Sequence, residues 1–125
     1  MHGALAKRLY AAFLARDTEA LARLLTEHSS WELCGRSALA GLHVGPEAIL
    51  RVLRGLMRLR PMRDDAYDIA ESEYHAVLMT RLVGSGLDSD HAIVVVAEED
   101  RLARAFHYVF DLYAFDEAFR PDDDG

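Results

Sequence analysis

Apolar residues recur at helical spacing near the start of the chain and change to strict alternation in its second half. Leu5, Leu9, Phe13 and Leu14, with Tyr10 beside them, predict a helix over about His2 to Arg16. Asp17 suits an N-cap, and Glu19 stands near the positive end of the short helix that follows, carried by Leu21, Leu24 and Leu25 and ending near Glu27. Ser29 to Cys34 alternates around Trp31 and Leu33 and reads as a strand. Between Gly35 and Gly45 lies a short extended piece, Leu39 to Val44. Gly45-Pro46-Glu47 then opens a third helix, because proline at the first helical position gives up an N–H that has no partner there. Its apolar stripe is Ile49, Val52, Leu53, Leu56 and Met57, and Pro61 is expected to end it.

From Asp64 onward the period is two. Tyr67 and Ile69 suggest one strand and Tyr74 to Val83 a second. Gly84-Ser85-Gly86 marks a turn, His91 to Ala97 is a third strand, Glu98-Glu99-Asp100 a tight polar connection, and Leu102 to Asp111 a fourth strand. Short connections between neighbours imply antiparallel pairing. Helices early and strands late predict an α+β fold with the helices on one face of a sheet.

Composition narrows the function more than the fold. The 125 residues make one domain, expected over 1–120, with an acidic tail over 121–125 that holds Asp122, Asp123 and Asp124. A formal net charge of −7 argues against a nucleic-acid surface, which needs clustered Lys and Arg. Cys34 is the single cysteine, so no intrachain disulfide forms. Lys7 and Arg8 interrupt the N-terminal apolar pattern, which does not read as a signal peptide, and the apolar run Ala92 to Ala97 is too short to span a bilayer. The expectation is a soluble cytoplasmic protein that binds neither nucleic acid nor membrane. No P-loop, dinucleotide fingerprint, G-x-S-x-G or H-E-x-x-H is present, and neither a cofactor nor a metal is expected.

Candidate chemistry concentrates on the last strand. One face of it reads Ala103, Ala105, His107, Val109 and Asp111. His107 is the first candidate for a general acid or base, since imidazole titrates near neutrality. Asp111 follows four residues on, about 13 Å along a regular strand, so the two could serve one extended substrate without touching each other. Glu32, opposite in parity to Trp31 and Leu33, is a second candidate carboxylate. Tyr10, Phe13, Trp31, Met57 and Val109 are candidate walls of a substrate pocket. Arg81 reads as an exposed arginine. The register across residues 98–101 is open: a three-residue loop sets His91 opposite His107, and a two- or four-residue loop sets Ala92 there.

Four segments carry a family resemblance. They are Tyr10-Ala-Ala-Phe-Leu-Ala-Arg-Asp17, Trp31-Glu-Leu-Cys-Gly35, Leu39-Ala-Gly-Leu-His-Val-Gly-Pro-Glu-Ala-Ile49 and Asp100-Arg-Leu102. In this order they resemble the nuclear transport factor 2-like superfamily, in its SnoaL-like branch, over roughly residues 3–115. The resemblance implies a cone-shaped, curved, mostly antiparallel sheet wrapped around three helices, with an apolar pocket open at one end. It also implies a homodimer. Members include isomerases, polyketide cyclases, dehydratases, epoxide hydrolases and proteins without catalysis, so the fold alone does not choose among them. The ketosteroid isomerase pattern fits poorly. Its first-strand base falls nearest Glu32, its helix-1 tyrosine falls near Leu9 beside Tyr10, and the penultimate strand Ala92–Ala97 has no acid, so that mechanism is rejected. The function expected is a cofactor-independent acid/base enzyme acting on a small to medium apolar molecule of polyketide or steroid type, as isomerase, cyclase, dehydratase or hydrolase. The alternative is a non-catalytic ligand-binding or dimeric assembly module of the same fold.

Overall fold

The computed structural model describes residues 1–59 and 62–120. Its elements run α1 (His2–Leu14), α2 (Thr18–Arg23), β1 (Ser30–Leu33), β2 (Gly41–Val44), α3 (Pro46–Leu56), β3 (Arg63–Glu71), β4 (Ala76–Gly84), β5 (Leu87–Glu98), β6 (Arg101–Val109) and α4 (Leu112–Ala118). The expected α+β class holds. Pro61 and the acidic tail lie outside the described residues.

Local chemistry sets the helix ends. The Asp17 side chain accepts from the Ala20 N–H and starts α2, and Pro46 opens α3 after Gly45 at a φ of 90°. The first turn of α1 has no capping side chain of its own. Glu71 of β3 fills that place from across the fold, accepting from the Gly3 N–H at 2.9 Å and pairing with the terminal ammonium at 3.2 Å. His2 adds a second tie: its Nδ1 accepts from Ala97 N at 2.9 Å, and its Nε2 donates to the Glu73 carbonyl at 3.0 Å.

The six strands form one sheet in the order β2-β1-β6-β5-β4-β3. Among the described residues only β1 and β6 pair in parallel; the other neighbouring pairs are antiparallel. The inner face receives α1 and α3, which bury Leu5, Leu9, Phe13, Ile49, Leu53 and Leu56 against Leu33, Leu82, Val95 and Ala105.

Three sequence expectations change here. The last strand ends at Val109, and Asp111 leaves the sheet to become the N-cap of α4, its carboxylate accepting from Ala114 N at 3.2 Å. The sequence reading did not anticipate α4. The apolar residues Tyr74, Leu78 and Leu82 share one parity that the sequence suggests as an outer face in need of cover, but Leu78 and Leu82 point inward and are 4% and 1% exposed; the outward positions of β4 are Val77, Met79, Arg81 and Val83. Arg81 is exposed as expected and pairs with Asp88 at 2.5 Å.

The open register resolves into an arrangement that neither alternative described. Glu99 and Asp100 form a two-residue connection, both at positive φ, which alone would set Ala92 opposite His107. A bulge opposite Val96 and Ala97 adds one residue to β6, so Ile93 faces His107 and Val109 faces His91. Both histidines thereby point to the inner face, on a diagonal.

Candidate functional site

Between the helices and the inner face lies a cavity lined by Tyr10, Phe13, Leu53, Leu56, Leu78, Ile93 and Val95 among others; its empty space together with the open solvent at its mouth is about 560 Å³, and the part that water-sized centres can occupy is about 50 Å³. Most of the lining is hydrocarbon. The polar groups fall on one stripe that crosses five strands: Asp64 on β3, Thr80 on β4, His91 on β5, His107 on β6 and Trp31 on β1. Register explains the stripe. Thr80 pairs directly with His91, Asp64 stands diagonal to Thr80 through its partner Leu82, and Trp31 pairs with Ala105, two residues before His107.

Two hydrogen-bonded groups make up the stripe. At one end the Tyr10 hydroxyl donates to the Asp64 carbonyl at 2.8 Å and also reaches Asp64 Oδ1 at 3.1 Å, and the Thr80 hydroxyl bonds the same carboxyl. Burial among apolar side chains outweighs these bonds and pushes the Asp64 carboxyl up to about 6. Burial, then the charge of Asp64, pushes the Tyr10 phenol up as well, so it stays a donor. At the other end Trp31 Nε1 donates to His107 Nδ1 at 3.3 Å, and His107 Nε2 lies 2.6 Å from His91 Nδ1. Desolvation lowers both imidazoles, His91 to about 4 and His107 well below the ordinary histidine value. Phe115 of α4 closes over His91 edge to face, ring centroids 5.6 Å apart.

Of the residues singled out from the sequence, Tyr10, Phe13, Trp31 and His107 line this cavity. Met57 and Val109 are buried in the core beside it but are not among its lining. The catalytic assignments need correcting. Glu32 is exposed on the outer face because Trp31 and Leu33 take the inner one. Asp111 is exposed and serves as a helix cap. His107 is inward, but both its nitrogens are engaged and its 1% exposure disfavours the imidazolium, so it is poorly placed to exchange protons with a ligand. The carboxylate that does reach the cavity, Asp64, was missed. Between Arg63 and Asp65 it reads as part of a solvated charge cluster, and only the helix packed across it makes it half-buried. Among the described residues no three His, Cys, Asp or Glu side chains gather as a metal site.

No family model matches the sequence, and no curated protein does. Solved structures do. Bal32a, from a soil-derived mobile gene cassette, is 28% identical at a TM-score of 0.86, over 95% of this chain and 96% of its own. A nuclear transport factor 2-like protein from Burkholderia xenovorans is 16% identical at 0.75, over 93% of each chain. A candidate SnoaL-like polyketide cyclase from Shewanella denitrificans is 13% identical at 0.70, over 91% and 94%. TM-scores of 0.70 to 0.86 over more than nine-tenths of this chain show that the fold is shared with all three. In its fold, this chain is similar to the nuclear transport factor 2-like proteins.

Proposed function

We propose that the protein is a cofactor-independent acid/base enzyme acting on a small, largely apolar molecule, with Asp64 as the proton-transfer group. One observation carries this reading: a carboxyl held near pKa 6 by burial, fixed by Tyr10 and Thr80, opens into an apolar cavity. A carboxylate of that basicity is mostly ionised at neutral pH and still takes up a proton readily. The reaction class is isomerisation, cyclisation, dehydration or hydrolysis. The kinship in fold with a candidate polyketide cyclase is in keeping with it.

A screen across enones, β-hydroxy ketones and epoxides tests the proposal. Turnover of one class is expected, rising with pH through about 6 as Asp64 loses its proton, and falling roughly 10²–10⁴-fold in Asp64→Asn. Turnover unchanged in that variant overturns it. Saturable binding without turnover of any class favours the rival reading, a non-catalytic ligand-binding module. The largely hydrocarbon lining is the observation that keeps this rival in play. A homodimer through the outer sheet face, and a cytoplasmic setting in keeping with the single free thiol of Cys34, complete the proposal.

A further inference from the structure

We infer that the Nε2–H of His91 is a ligand-binding donor, held in that form by a chain of hydrogen bonds beginning at Trp31, and that the cavity therefore takes a small apolar molecule bearing a carbonyl oxygen. This rests on the cavity being the ligand site, as proposed above.

The direction of the chain follows from one group that has no choice. An indole N–H donates and never accepts. Trp31 Nε1 points at His107 Nδ1, so that nitrogen presents its lone pair, and a neutral His107 carries its proton on Nε2. His107 Nε2 sits 2.6 Å from His91 Nδ1, so His91 accepts there and carries its own proton on Nε2. The reverse direction would leave His107 accepting at both nitrogens, which only an imidazolate does. Protonating His107 would set two N–H groups against each other at Trp31, and protonating His91 would do so at His107. Burial disfavours both cations in any case.

The chain ends unsatisfied. His91 Nε2 is buried and has no hydrogen-bond partner among the described residues, although His91 lines the cavity and is 2% exposed. A buried donor without an acceptor is unfavourable, and a ligand acceptor relieves it. The surroundings select among acceptors. A carboxylate would lose its hydration among Ile93, Val95 and Leu78 and share the cavity with Asp64, while an ammonium would meet a donor. A carbonyl oxygen accepts without carrying charge or bringing a further donor. His107 and Trp31 are positioning residues that fix which nitrogen of His91 bears the proton.

The test uses the intact protein, labelled with ¹⁵N, and the near-isosteric pair acetophenone and ethylbenzene. Two-bond ¹H–¹⁵N correlation spectra at neutral pH should place both rings in the neutral Nε2–H form. Acetophenone should shift the His91 Nε2 resonance and bind about tenfold or more tightly than ethylbenzene, as one added hydrogen bond to a buried donor requires. His91→Phe should bring that ratio to about one, and Trp31→Phe should give His107 a mixture of tautomers. A proton on His91 Nδ1 overturns the inference, even if the variants do not fold. So does equal affinity for the two ligands, including no measurable binding of either. The Asp64→Asn variant separates this inference from the proposed function. Turnover retained there alongside carbonyl preference removes only the role of Asp64; turnover lost there without carbonyl preference removes only the role of His91.

Discussion

Asp64 and the two histidines answer to the same low-polarity surroundings with opposite signs. The folded-state value of Asp64, about 6, lies above its ordinary 3.8, so its contribution is greatest below about 4 and is lost as pH rises through 6. His91 goes the other way: its value falls from 6.5 to about 4, so its contribution is present above 6.5 and lost as pH falls toward 4. His107 follows His91 in direction. Between about pH 4 and 6 the unfolded chain binds two more protons than the folded one at the histidines and one fewer at Asp64. Asp64→Asn should therefore steepen acid destabilisation, and it should stabilise the protein by ~1–2 kcal/mol above pH 7, after discounting for the partial exposure of the group. Urea unfolding at several pH values measures both. A slope of stability against pH that is unchanged in the variant would rule this out. Tyr10→Phe removes a bond that favours the ionised carboxyl. It should move the rise of activity to higher pH than in the parent protein, as a pH–rate profile would record.

The elements explain how such groups come together. The bulge in β6 changes which residue faces His107 and so brings His91 and His107 to one face, where a diagonal contact closes the chain from Trp31. The two ties from Glu71 and His2 hold the start of α1 to β3 and β5, and the hydroxyl of Tyr10 meets Asp64 on the same helix face. α4 covers His91 through Phe115, which is fully buried. Because Asp111 caps that helix, Asp111→Ala should lower stability by about 0.5–2 kcal/mol. It should not abolish turnover as removal of a catalytic carboxylate would. Thermal unfolding and a rate measurement on the same sample distinguish a cap from a catalytic acid.

At the scale of the molecule, the inner and outer faces of the sheet have different tasks. The inner face packs against helices around the cavity. The outer face leaves Leu42 at 63% exposure, Val44 at 55% and Tyr108 at 50%, with Phe110 at 61% just beyond the end of β6. Apolar residues so grouped favour a second copy over water. Light scattering at micromolar concentration should give twice the chain mass, and Tyr108→Glu should bring it back toward one. A parent protein that is monomeric under those conditions would remove the dimer. Among the described residues no helix is long and apolar enough to cross a membrane.

Periodicity in the chain was enough to assign most elements. The caps at Asp17 and Pro46 and the shared face of Ala105, His107 and Val109 depend on neighbours a few residues away, and these are legible as written; which of Trp31 and Glu32 turns inward was not. α4 was legible too, since Asp111 followed by Leu112 and Phe115 is a capped apolar pattern, but alternation carried the strand reading past it. What the sequence could not supply were quantities set by distant partners. Asp64 becomes a weak acid only because α1 lies across it, 54 residues away in the chain. Whether His91 meets His107 depends on one inserted residue that shifts a register, and the alternation of faces is blind to such a shift. Local periodicity dictates which way a side chain points; only the packed fold decides what it points at, and therefore whether it holds a proton.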